Sequence, residues 1–201
     1  MADRYMHEVL TPAVLDSEER YYGRRYARAE DAPEPYALRE QECEFIESRD
    51  SFYLGSVTEI GWPYVQHRGG PKGFLRVAGP DELLFADYGG NRQLVSAGSI
   101  QAEDRVSLFL MDYPGRRRLK LLGHAEVLDA REYPDLIERS MPPDGHGSAP
   151  ERIFRIRVLS YDWNCPKFIT PRFTLDEVRE AIEPLKARVA ELEAELALRQ
   201  S

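Results

Sequence analysis

The sequence predicts a mainly β protein, an antiparallel barrel or sandwich with flanking helices and a long heptad helix at its C-terminus. Between Ser51 and Trp163 lie six or seven short apolar segments separated by frequent turn signals, which favours an antiparallel barrel or sandwich over a doubly wound sheet. Before and after that block the apolar residues fall at helical spacing instead. The chain thus divides into a helical segment over 1–50, a β domain over 51–173 and a C-terminal helix over 174–201.

In the first segment, "SEERYYGRRYARAED" is charged with scattered tyrosines and "DAPEPYA" is a proline-marked link. "LREQECEFIESRD" then places Leu38, Cys43, Phe45 and Ile46 on one helix face. The strands follow in pairs. "SFYLGSV" and "WPYVQHR" flank the turn "TEIG"; "GFLRVAG" and "ELLFADY" flank "PD"; "RVSLFLMDY" and "RRLKLLGHAEVLD" flank "PGR". "RIFRIRVLSYDW" is the last, with Ile153, Phe154, Ile156 and Val158 apolar. "NRQLVSAGSI" and "REYPDLIERS" read as short helices between strands. Thr174 and Glu177 form a capping-box signature that starts the last helix. Val178, Ile182, Leu185, Val189, Leu192 and Leu196 then recur at alternating steps of four and three, an a/d seam. Two readings fit that seam: a helix packed on its own domain, or a self-associating coiled coil. Pro184 predicts a kink or restart near Glu183.

A chain of 201 residues, 42% hydrophobic and 31% charged, suits one soluble domain with decoration. Its formal charge of -8 argues against nucleic acid or an anionic membrane as a bulk partner. Any anionic ligand must meet a local basic patch. No apolar run could span a bilayer, and "MADRYMHEVLTP" has no signal-peptide core. Cys43 and Cys165 stand in no metal or redox spacing, which predicts plain thiols and a cytoplasmic setting. His7, His67, His124 and His146 make no paired spacing, so no metal site is expected. No GxSxG elbow occurs, "GGPKG" lacks the Lys-Ser/Thr of a P-loop, and "GHGSAP" ends in proline where a dinucleotide fingerprint needs a helix.

Three basic turns remain. "HRGGPKGFLR" carries His67, Arg68, Lys72 and Arg76 among glycines. In "DYGGNRQ", Gly89 and Gly90 precede Asn91, Arg92 and Gln93 where a helix begins, offering free N–H groups and a guanidinium fork to a phosphate. "PGRRRLK" is a hairpin tip of the kind that is usually only solvated. Glycines also serve merely to make turns. The first two turns stand at the ends of neighbouring hairpins, however, and converge on one phosphate site if the strands pair as read.

"FIESRDSFYLGSV", "GWPYVQHRGGPKGFLRV", "LLFADYGGNRQ", "RVSLFLMDY" and "RRLKLLGHAEVL" together resemble, in order and spacing, the FMN-binding split-barrel proteins of the pyridoxamine 5'-phosphate oxidase-like superfamily. The likeness runs from about Phe45 to Phe173. It implies a six-stranded antiparallel split β-barrel and a homodimer with FMN at the subunit interface. It also implies phosphate contacts from Asn91, Arg92 and Gln93, with Gln93 standing where the family has a basic residue. Gly73, Phe74, Leu75 and Arg76 correspond to the strand along the flavin ring edge. Trp163, Lys167 and Arg172 match a tail that reaches the partner's flavin, although Trp163 could also simply close its strand. Two substrate-holding elements of the B6 oxidases are missing. The outer positions around Arg139 are Asp135 and Pro143, and the Arg-x-His near the C-terminus is Lys167, Phe168, Ile169. The resemblance is therefore to a related flavoprotein, not to the B6 oxidase itself.

The expected function is an FMN-dependent oxidoreductase that acts on a small molecule or a nicotinamide donor through flavin N5, with no residue marked as acid or base. The alternatives are a non-catalytic or sensory module holding flavin, deazaflavin or heme, with His67 or His124 as the only barrel histidine available to a heme, and a scaffold whose C-terminal helix recruits partners.

Overall fold

The computed structural model describes residues 3–35, 37–90, 92–143, 145, 147–163 and 166–200, so Asn91, His146 and Cys165 lie outside the described residues. The chain forms two compact units, Met1–Met111 with Arg117–Cys165, and Asp112–Arg116 with Pro166–Ser201.

The first unit opens with α1 (Asp3–Val9), α2 (Pro12–Tyr22) and α3 (Glu40–Glu47). Its strands are β1 (Ser51–Val57), β2 (Pro63–Gly69), β3 (Arg76–Gly79), β4 (Glu82–Asp87), β5 (Arg105–Asp112), β6 (Arg117–Asp129) and β7 (Arg152–Trp163). Two short helices, α4 (Val95–Ala102) and α5 (Pro134–Ser140), fall between strands. All seven strands form one sheet in the order β2-β1-β5-β6-β7-β4-β3. The seven apolar segments of the sequence are thus seven strands, one more than the family resemblance implied. The shortest strand, β3, pairs with β4 across a register shift between Val77 and Gly79. It is shorter than "GFLRVAG" suggested, because Gly73 takes a left-handed φ of 79° and ends any extended run before it.

The alternation of side chains builds the core. Phe52 and Leu54 of β1, Leu108 and Leu110 of β5, Leu119 and Leu121 of β6, and Phe154, Ile156 and Val158 of β7 all point inward and are buried. Phe45 and Ile46 of α3 cover one end of this core. In the long β6–β7 hairpin the register shifts between Leu122 and Gly123. A Cβ at Gly123 would lie 2.5 Å from the Arg157 carbonyl oxygen, so only glycine fits that shift.

Four strands separate β2 from β4 in the sheet order, yet Arg68 Nη1 of β2 lies 2.7 Å from Asp87 Oδ1 of β4. The sheet therefore curls until its two margins nearly meet. α4 carries the chain from β4 across to β5, and its first turn stands at the opening between those margins.

In the second unit α6 (Leu175–Gln200) runs through Pro184 without a restart. The expected capping box is formed: Thr174 N donates to Glu177 Oε2 at 2.7 Å, and Glu177 N donates to Thr174 Oγ1 at 3.2 Å. Arg172 stacks over the Tyr113 ring at 5.0 Å, and Lys167 lies 5.1 Å from the Phe168 ring. Among the described residues no helix is long and apolar enough to cross a membrane.

Candidate functional site

β2 alternates along its length, and Tyr64, Gln66 and Arg68 turn to the side that meets α4 and the end of β4. With Asp87, Tyr88, Gly90, Arg92, Gln93, Ser96, Arg152 and Phe154 they line a cavity of about 210 Å³. A second cavity of about 290 Å³ adjoins it, shares Arg68, Asp87 and Tyr88, and adds His67, Gly69, Gly70, Pro71 and Phe74.

The centre of the cleft is a carboxylate held by two guanidiniums. Arg68 Nη1 donates to Asp87 Oδ1 at 2.7 Å and Arg152 Nε donates to Asp87 Oδ2 at 2.8 Å. The side chains of Arg68, Asp87 and Arg152 are only 16%, 13% and 20% exposed, so this triad is shielded well beyond an ordinary surface pair. Arg68 also lies 4.9 Å from the Phe154 ring and 5.6 Å from the Phe85 ring. Burial works against the charge on Arg152, but its hydrogen bonds to Asp87 and Glu151 outweigh that and hold it above the usual arginine value. Burial likewise raises the Tyr88 hydroxyl.

The loop from β4 into α4 is strained. Arg92 and Leu94 are not glycines, yet they take left-handed φ values of 60° and 53°. Such conformations cost about 1–3 kcal/mol each and concentrate at ligand-binding sites. Here they turn the chain sharply enough to set Arg92, Gln93 and the first turn of α4 on one cleft wall. Ser96 in that turn donates to Gln66 Oε1 at 2.5 Å, tying α4 to β2. Arg68 Nε is buried and has no hydrogen-bond partner among the described residues. The wall thus presents three guanidiniums against the carboxylates of Asp87 and Glu151, with helix N–H groups beside them.

The structure brings Arg68, Arg92 and Gln93 into one cavity, with His67 and Phe74 lining its neighbour. The other sequence candidates lie elsewhere. Lys72 is exposed on the β2–β3 loop. Gly73 approaches Pro143, where a Cβ would come within 3.3 Å. Phe74 stacks on Phe52 at 5.6 Å and Leu75 is fully buried, so both also serve the core. Arg76 reaches Glu47 at 3.5 Å and lines a separate hollow beside α5. Trp163 donates from Nε1 to Glu42 Oε1 at 2.6 Å and packs edge-on against Phe45 at 4.7 Å. Lys167 and Arg172 belong to the second unit.

Asp87, Arg152, Tyr64, Gln66 and Ser96 escaped the sequence reading. The signal for the first pair lay in register: Asp87 ends β4 directly opposite Arg152, which opens β7. The polar alternation Tyr64, Gln66, Arg68 in "YVQHR" marked the cleft face of β2.

Residues 38–162 match the family model described as pyridoxamine 5'-phosphate oxidase, and the chain belongs to that family, as a relative of the B6 oxidase rather than that enzyme itself. No curated protein matches it. Among solved structures it is similar to HupZ of Group A Streptococcus, at 12% identity and a TM-score of 0.51, over 68% of this chain and 100% of that one. A variant of the same HupZ gives 12% identity and 0.51, over 63% and 99%. A conserved hypothetical protein of Mycobacterium tuberculosis gives 16% identity and 0.49, over 70% and 94%. At 12% identity the likeness to HupZ concerns the fold alone.

Proposed function

We propose that this chain binds FMN in the cleft between β2, β4 and α4 and serves as a cytoplasmic, homodimeric oxidoreductase. The observation that carries the reading is the cleft wall itself: Arg68, Arg92 and Arg152 beside the first turn of α4, with Arg68 Nε buried and unsatisfied. A phosphate monoester supplies the acceptors such a wall lacks. Arg92 and the N–H groups of α4 hold the phosphate, with Gln93 beside them. Asp87 keeps Arg68 and Arg152 aimed into the cleft while leaving the wall with a cationic excess. The adjoining cavity, with its glycine and proline backbone at 69–71 and the Phe74 ring, offers a flat apolar floor for an aromatic ring. The bound flavin supplies redox chemistry at N5 that no side chain here could provide. The chain's own residues bind, orient and exclude water.

A homodimer accounts for a second feature. On the β1–β2 hairpin, Ile60, Trp62 and Val65 are 82%, 70% and 65% exposed, next to exposed Tyr53 and Val57. Apolar side chains gathered on the hairpin whose second strand also builds the cleft suit a surface covered by another subunit. Residues 51–173 would then form the cofactor-holding domain, with Lys167 and Arg172 reaching the partner's flavin.

The test is to purify the chain, release its chromophore and identify it, then add FMN to the apo form and screen for NADH or NADPH oxidation. Two broad bands in the blue and near ultraviolet, with one FMN per chain, are expected. A chain that takes up no FMN from excess, or shows a sharp Soret band instead, overturns the proposal.

A further inference from the structure

We infer that α6 is one strand of a parallel, in-register, two-stranded coiled coil whose other strand is α6 of a second copy of this chain. The inference stands apart from the flavin proposal, since nothing in it uses the cleft.

Val178, Ile182, Leu185, Val189, Leu192 and Leu196 are between 40% and 65% exposed, so the whole seam of a 26-residue helix stands open. That helix also contains Pro184, which weakens an isolated helix by removing a backbone donor. Long helices in water draw most of their stability from burying an apolar face, and the seam is the continuous apolar face among the described residues of α6. Pro184 occupies a c position, on the solvent side, where a paired helix tolerates it best.

The residues at the seam select the partner. In the centre of the seam Ile182 and Val189 stand at a and Leu185 and Leu192 at d; the outer positions, Val178 at d and Leu196 at a, reverse that order. β-branched residues at a with leucine at d favour two parallel strands. The flanking charges agree. Arg188 is a g residue and Glu193 the e residue of the next heptad. In a parallel pair in register, Arg188 of each copy faces Glu193 of the other, giving two symmetric ion pairs. An antiparallel pair, which sets a against d and so Ile182 of one copy opposite Leu192 of the other, brings the two Arg188 side chains together instead. A lipid surface fits less well: acidic residues outnumber basic ones seven to four between Leu175 and Gln200.

The test uses the full chain in a Cys43→Ser, Cys165→Ser background, with Ile182→Cys and Leu192→Cys made separately and given different tags. Under mild oxidation each variant alone should crosslink to itself at least 10-fold faster than Leu198→Cys, which sits on the outer face. Co-expressed, the two should give no mixed product. Arg188→Glu should slow crosslinking at Leu192→Cys several-fold, and adding Glu193→Arg should restore it. A mixed Ile182–Leu192 product would show an antiparallel pair and overturn the inference. Equal rates at Leu192→Cys and Leu198→Cys, or none at either seam position, would remove the pairing altogether. Absorbance of the same samples reads cofactor content, so failure here is distinguishable from failure of the flavin proposal.

Discussion

Two polar clusters in this protein use the same chemistry to opposite ends. At the α3 end, the Glu42 carboxylate is 4% exposed and accepts hydrogen bonds from Trp163 Nε1 at 2.6 Å, Tyr161 Oη at 3.3 Å and Arg39 N at 3.2 Å. Its oxygens are satisfied from within the fold, and no cavity opens onto it among those described. At the cleft, Asp87 is gripped by Arg68 and Arg152, but those guanidiniums keep donors to spare, and Arg68 Nε is buried with no acceptor. A closed network fixes structure; one left open toward a cavity has capacity for a ligand. By that measure Trp163 acts first as a structural residue, whatever it adds at a neighbouring subunit.

The sharpest way to break the contrast is at Glu42. Glu42→Ala removes the charged acceptor of Trp163 Nε1 and one of the acceptors of Tyr161 Oη, and should cost about 2–4 kcal/mol of folding stability, while FMN affinity in the surviving folded protein stays unchanged. Urea unfolding and flavin titration check the two halves separately. The mirror image is Arg92→Ala. It should weaken FMN binding by about 1.5–3 kcal/mol with little change in melting temperature, because that side chain is exposed and its strained backbone favours a smaller residue no less. A loss of stability without loss of affinity would assign that loop to structure. Asp87→Asn falls between them, touching both fold and site. Removing the shared charge from two half-buried guanidiniums should cost about 1–2 kcal/mol of stability and loosen the cleft wall, seen as a broader flavin spectrum.

The smallest effect concerns pH. The Arg131 side chain and backbone N–H hold the Asp129 carboxyl down to about 2, well below its ordinary value. A carboxylate depressed in the folded state contributes stability that is complete above its unfolded value near 4 and lost as pH falls through about 2. Asp129→Asn should therefore flatten the acid limb of the stability curve only below about pH 4. Because the pair is exposed, the change should be barely above error in an acid titration followed by circular dichroism.

The strands, the three hairpins and the capping box at Thr174 were legible because local rules set them: alternation, turn residues and a Ser/Thr-x-x-Glu spacing. The basic loop at Arg92 was legible for the same reason, since glycines before a helix start are a local signal. Asp87 and Arg152 were not. They meet through strand register across 65 residues of chain, and neither carries a local mark. Curling of the sheet, which sets Arg68 against Asp87, is likewise invisible to a reading that sees one strand at a time. Arg76 and Lys72 share the even spacing of Arg68 and so read as one face, but β2 ends at Gly69 and the chain turns through left-handed Gly73 before β3 starts, which separates them from Arg68.

The most direct measurement compares FMN with riboflavin, which differs only by the phosphate. If the guanidinium wall holds that group, the wild-type chain should bind FMN about 10- to 100-fold more tightly, and Arg92→Ala should erase most of the gap while leaving riboflavin affinity unchanged. Equal affinity for the two flavins in the wild-type protein, or a gap that survives Arg92→Ala intact, would contradict the account.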